Sequence, residues 1–176
     1  MNETWNRVPL SKIAEFQNGY AFSSKDYVEK SIHNKEVLRM GYIKRGGGFK
    51  EFDKPVFIPP NHKGNEEKYS LDNGDIVIAM TDMKDKVAIL GNCARITEAG
   101  RFLLNQRVGR IRTKDEDKAN QKFLYYFLNS PNHIQNLRSR ANSGVQVNLT
   151  TASIIESSIS LPSIFEQKRI STILGV

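Results

Sequence analysis

The chain has 176 residues and a mass of 20.0 kDa, with 26 Lys and Arg against 19 Asp and Glu and a single cysteine. That length suits one domain with a real core. The lone Cys93 excludes an internal disulfide scaffold and fits a reducing, cytoplasmic setting. The net charge of +7 and pI near 9.5 make a polyanion the first partner to consider, and the polar N-terminus and short apolar runs argue against a membrane span.

Leu10, Ile13, Ala14 and Phe16 recur at helical spacing before Asn18-Gly19, which predicts a short helix and a turn. From Glu36 to Lys44 the pattern becomes strand-like, with Val37, Arg39, Gly41 and Ile43 on one side and Leu38, Met40 and Tyr42 on the other. Gly46-Gly47-Gly48 then breaks it. Flanked by Lys44, Arg45 and Lys50, this run reads either as a flexible basic loop whose backbone approaches a phosphate or as a solvated turn.

Leu71 to Asp75 is a turn sequence, Ile76 to Met80 a buried strand, and Thr81 to Lys86 an exposed loop at the strand's end. Val87 to Leu90 and Cys93 to Ile96 read as two strands joined by a tight turn, with Cys93 a small buried apolar residue rather than a nucleophile. Period two in Arg107 to Arg112 sets Val108, Arg110 and Arg112 on one face and Arg107 and Ile111 on the other. Residues 84 to 112 hold seven Lys and Arg against Asp85 and Glu98, a local surplus of +5.

Phe123, Leu124, Phe127 and Leu128 mark an amphipathic helix over Gln121 to Asn129. Ser130-Pro131 opens a second helix carrying Ile134, Leu137, Arg138 and Arg140, which ends near Asn142-Ser143-Gly144; Ser143 to Asn148 reads as a polar loop. A brief strand over Ser158 to Pro162 precedes Ser163 and Glu166, a capping-box spacing. The helix that follows has Ile164, Phe165, Ile170, Ile173 and Leu174 as its apolar face. Either this helix docks on the domain or the chain is cut from something longer. The fold expected is α+β: a twisted, mixed or mainly antiparallel sheet from segments near 37–43, 75–80, 87–96 and 107–112, with helices around it.

His33, His62 and His133 sit in no metal or triad spacing and read as surface residues. There is no Walker A run, dinucleotide-binding glycine pattern or nucleophile elbow. Glu66-Glu67-Lys68 with Asp53 or Asp75 can be drawn as a magnesium-dependent nuclease, but such triplets arise by chance and these sit in a loop sequence. A basic protein-interaction domain is the remaining alternative.

Five segments in order carry a family likeness. They are Leu10 to Phe22, Leu71 to Met80, Leu104 to Ile111, Phe123 to Pro131, and Ile159 to Pro162 with Glu166-Gln167-Lys168-Arg169-Ile170. Together they resemble a target recognition domain of a type I restriction-modification specificity subunit. The resemblance implies noncatalytic, sequence-specific reading of one half of a split double-stranded DNA target. Residues 1–162 would be the recognition domain and 163–176 the start of a conserved spacer helix, truncated here. It further implies methyltransferase partners and, through them, restriction subunits, which carry the S-adenosylmethionine, ATP and Mg; this chain would hold no cofactor or metal. With one such domain, the chain looks like a first-domain fragment or a half-length subunit, which a second recognition domain or a homodimer would complete.

A DNA reader needs cations for phosphates and amides or guanidinium groups for base edges. Lys44, Arg45, Lys50 and Lys86 are expected on phosphates. Lys84, Arg138, Arg140, Gln146 and Asn148 are expected on bases, with Thr81, Asp82 and Ser143 on the same surface.

Overall fold

The computed structural model describes residues 5–64, 66–83, 87–144 and 146–175. In chain order the elements are β1 (Asn6–Pro9), α1 (Leu10–Ile13), β2 (Ala14–Asn18), β3 (Lys35–Leu38), β4 (Phe57–Ile58), α2 (Glu66–Tyr69), β5 (Ile76–Ala79), β6 (Thr81–Met83) and β7 (Cys93–Arg95). There follow β8 (Phe102–Leu104), β9 (Val108–Thr113), α3 (Gln121–Leu128), α4 (Pro131–Ser139), β10 (Asn142–Ser143), β11 (Gln146–Asn148), α5 (Thr151–Ile155), β12 (Ser158–Leu161) and α6 (Ile164–Leu174).

The organising sheet is antiparallel, in the order β2-β9-β5-β7, and β5 is buried along its whole length. Because side chains alternate along a strand, β5 serves two cores. Ile76 and Ile78 pack with Leu10, Ile111, Leu124, Leu128 and Leu137. Val77 and Ala79 pack with Leu38, Tyr42, Phe102, Leu104 and Val108. A second sheet, β4-β3-β8, contains the parallel pair β3 and β8, and β1 pairs antiparallel with β12. The architecture is the expected α+β, with mixed sheets and helices around them.

Several local expectations change. The helix read from Leu10 to Phe16 stops at Ile13, because Ala14 to Asn18 pair residue for residue with Thr113 to Gly109 of β9. That pairing lays the Phe16 ring where any side chain on Gly109 would stand: a Cβ there would lie 2.3 Å from it. The strand expected to Lys44 ends at Leu38, and Met40 to Tyr42 form a 3-10 turn. Val87 to Leu90 form no strand, for a reason given with the site below. Ser163 does cap α6, accepting the Glu166 N–H, but the helix docks by a different face from the one predicted. Gln167 and Ser171 point inward, while Phe165, Ile173 and Leu174 are exposed. Gln167 accepts the Asn120 N–H at 2.8 Å and donates to the carbonyls of Lys118 (3.1 Å) and Pro162 (2.9 Å), so a buried amide seats the helix.

Candidate nucleic-acid interface

The C-terminal end of β5 gathers most of the residues singled out from sequence. Just past it, Met80 donates its N–H to the Arg107 carbonyl (3.1 Å) and accepts the Leu149 N–H (2.8 Å). This draws β11 alongside β6, with Thr81 opposite Asn148, Asp82 opposite Val147 and Met83 opposite Gln146; β10 then pairs with β11. The predicted polar loop from Ser143 is therefore a hairpin added to β6. Thr81, Asp82, Ser143, Gln146 and Asn148 share one three-stranded sheet. Thr81 is buried and its Oγ1 donates to Asn148 Oδ1 at 2.8 Å, orienting an exposed amide.

Asp82 and Arg138 grip the same segment from two sides. The Asp82 carboxylate accepts the N–H groups of Ile89 (2.7 Å) and Leu90 (3.1 Å), and Arg138 donates through Nε to the Leu90 carbonyl (3.0 Å) and through Nη2 to the Ala88 carbonyl (3.2 Å). Side chains thus satisfy the backbone groups that a ladder partner would have taken, which is why Val87 to Leu90 are not a strand. Both residues hold the scaffold of the candidate surface. Arg140, at the end of α4, is exposed, and Gln146 is half-buried.

The glycine run is a docked turn rather than a flexible loop. Gly46, Gly47 and Gly48 have φ of 81°, 97° and 101°. Their N–H groups bond Asn92 Oδ1 (3.2 Å), the Lys44 carbonyl (3.1 Å) and the Cys93 carbonyl (2.9 Å), so this backbone has no N–H left to offer a phosphate. The side chains of Lys44, Arg45 and Lys50 remain exposed. Arg45 and Arg138, distant in sequence, line one open cavity of about 560 Å3. Lys84 and Lys86 lie outside the described residues, and of Ser143 only the backbone is described.

The basic stretch from 84 to 112 does not make one surface patch. Arg101 pairs with Glu36 (2.9 Å), Glu51 (2.7 Å) and Glu98 (2.7 Å), and these carboxylates, Glu51 foremost, push its pKa up. Arg112 is held by Asp72 (2.7 Å) and by buried Asp75, whose hydrogen bonds raise the guanidinium likewise. Arg110 bonds Gln17 and the Ser70 carbonyl; burial, then the neighbouring Arg112, lowers its pKa.

Gln106 and Arg107, which the sequence did not mark as site residues, form the β8–β9 turn beside Met80 with exposed side chains. They border a second cavity, of about 330 Å3, with Arg39, Phe22, Tyr27 and Phe52. The available signal was their place in the Leu104 to Ile111 motif.

Two carboxylates of the nuclease reading are already engaged. Glu66 pairs with Lys35 at 3.2 Å and accepts the Asn61 N–H, which lowers its pKa, and Asp75 is taken by Arg112. Among the described residues, no three His, Cys, Asp or Glu side chains converge as a metal site. His33 is exposed, but His133, predicted at the surface, is buried with its ring 5.4 Å from that of Phe127. Burial, with Arg140 adding to it, pushes its pKa down to about 4. Cys93 is fully buried, as expected, and burial pushes its thiol pKa up. Among the described residues no helix is long and apolar enough to cross a membrane.

Residues 2–175 match the family described as type I restriction modification DNA specificity domain. Over 170 residues the chain is 28% identical to the type I restriction enzyme MjaVIII specificity subunit of Methanocaldococcus jannaschii, covering 94% of this chain and 37% of that protein. It is 23% identical over 171 residues to the EcoBI specificity subunit of Escherichia coli, covering 97% and 32%. The fold is similar to that of the type I restriction-modification S subunit from M. genitalium, with a TM-score of 0.63 at 16% identity, over 99% of this chain and 39% of that one. The chain thus spans about a third of the length of the curated relatives it matches.

Proposed function

The chain belongs to the family of type I restriction modification DNA specificity domains, and from that premise we propose that it is a noncatalytic reader of one half of a bipartite double-stranded DNA target. Residues 1–162 serve as the recognition domain, and residues from 163 begin a spacer helix. In the cytoplasm the chain works with methyltransferase subunits and, through them, restriction subunits, and a second recognition domain or a homodimer completes the target. Those subunits carry the S-adenosylmethionine, ATP and Mg chemistry, and this chain holds no cofactor of its own.

The observation that carries this reading is the convergence at the C-terminal end of β5. There the β6-β11-β10 sheet presents Asn148 and Gln146 beside arginines that no carboxylate neutralises among the described residues. Arg140, Gln146 and Asn148 have the reach and chemistry for base edges, and Lys84, which lies outside the described residues, is assigned the same role. Arg138 keeps the two N–H groups of Nη1 and one of Nη2 to offer, since Nε and the other Nη2 N–H hold carbonyls. Lys44, Arg45, Lys50 and Lys86 contact phosphates, and Thr81, Asp82 and Ser143 keep the hairpin in place.

The test is selection from a randomised duplex pool by the purified chain at low salt. Enrichment of one short contiguous motif is expected, and Asn148→Ala should relax preference at one position by about 1–3 kcal/mol. Binding without enrichment would leave only nonspecific attraction, and no binding would end the reading.

A further inference from the structure

The open cavity of about 560 Å3 beside α4 has a lining suited to an anion. Arg45 and Arg138 both line it, and Ala88, Pro131 and Ile134 in its wall add no negative charge. Asn92 is 1% exposed, and its Oδ1 accepts the Gly46 N–H, yet its Nδ2, on a residue that lines the cavity, has no acceptor among the described residues. An amide donor with no protein acceptor at the wall of an open cavity is available to a ligand that accepts hydrogen bonds. The nine-residue α4 starts at the same place with Ser130 making no side-chain cap, so among the described residues the N–H groups of Asn132 and His133 also have no acceptor.

We infer that this cavity seats one phosphate of the DNA backbone, an assignment that rests on the DNA-reading function proposed above. A phosphodiester oxygen accepts from Asn92 Nδ2 and from the guanidinium groups of Arg45 and Arg138, and the start of α4 contributes its uncapped amides. The seat stands next to the β6–β11 sheet, where it fixes the register at which the hairpin meets the bases. The side chain of Gln135, exposed on the same wall, makes no hydrogen bond among the described residues and is therefore a site for placing charge without disturbing the fold.

The test compares Gln135→Glu with Thr97→Glu, an identical charge change at an exposed position by the opposite end of β5. Gln135→Glu should weaken duplex binding about tenfold more than Thr97→Glu, the loss expected for one charge-assisted contact. Asn92→Asp, which keeps the acceptor for Gly46 but replaces the free donor with a charge, should do the same. Inorganic phosphate titrated into the isotope-labelled chain should shift the Asn92 side-chain amide resonances, and Gln135→Glu should abolish that shift. Equal losses in the two Glu variants, with no shift at Asn92, would overturn the seat while leaving DNA recognition standing. A phosphate shift in a chain that binds no duplex would overturn the DNA source, and the proposed function with it.

Discussion

At the N-terminal end of β5, Arg112 is bound by Asp72 and buried Asp75, and Arg101, beside the preceding turn, gathers Glu36, Glu51 and Glu98. At the C-terminal end, Arg45, Arg107 and Arg140 are exposed, and no carboxylate pairs with them among the described residues. Both sets count equally toward a net charge of +7, yet only the second can attract a polyanion. The first set joins segments far apart in sequence, such as β9 to the turn before β5. Pairing state, not the number of arginines in a stretch, separates structural from binding cations.

Four measurements would break or sharpen this contrast. Arg112→Ala leaves the Asp75 carboxylate, 3% exposed, without its cation, and should cost about 3–5 kcal/mol in urea unfolding. The protein that remains folded should bind duplex DNA as before; a large affinity loss would merge the two ends into one surface. Next is His133, which lies within the binding end but is buried. Its folded-state pKa of about 4 lies below the ordinary 6.5, so the unfolded chain takes up the proton first. Stability should be complete above pH about 6.5 and fall as the pH drops toward 4, by about 3 kcal/mol in all. His133→Phe should flatten that profile, whereas a profile unchanged by the substitution would assign the acid sensitivity to other groups.

A smaller effect is expected at the docked glycine turn. Gly47 has a φ of 97°, and a Cβ there would lie 2.5 Å from the Asn129 side chain, so Gly47→Ala should destabilise by about 1–2 kcal/mol. A neutral result would mean that the turn is not held as described. The smallest stability change belongs to Arg45→Gln, within about 0.5 kcal/mol of the parent, while its duplex binding should lose about one unit of salt slope. An unchanged slope would move Arg45 out of the interface.

The elements that sequence revealed were those whose stabilisation is local or fully buried. The continuous apolar run of β5, the spacing of Phe123, Leu124 and Leu128 in α3, and the Ser163 cap of α6 can all be read without knowing a partner. What escaped depended on distant groups. Ala14 to Asn18 form a strand only because β9 lies alongside, and Val87 to Leu90 lose theirs because Asp82 and Arg138 take their backbone groups. In α6 the hydrophobic pattern pointed to Phe165, Ile173 and Leu174, but Gln167 found three backbone partners and set the rotation. For the site, residue types and their loops were legible in Arg45, Gln146 and Asn148, but not the convergence of Arg45 with Arg138, nor the free amide of Asn92.

The antiparallel pairing of β1 with β12 has a consequence for how the chain acquires its shape. Closing that ribbon joins segments separated by roughly 150 residues, among the longest loops the fold must close, and such closures come late and slowly. On the ribosome, Asn6 to Pro9 have emerged long before Ser158 to Leu161 exist to receive them. β1 is therefore made well before it can find its place, and until then its edge is open to pairing with other chains.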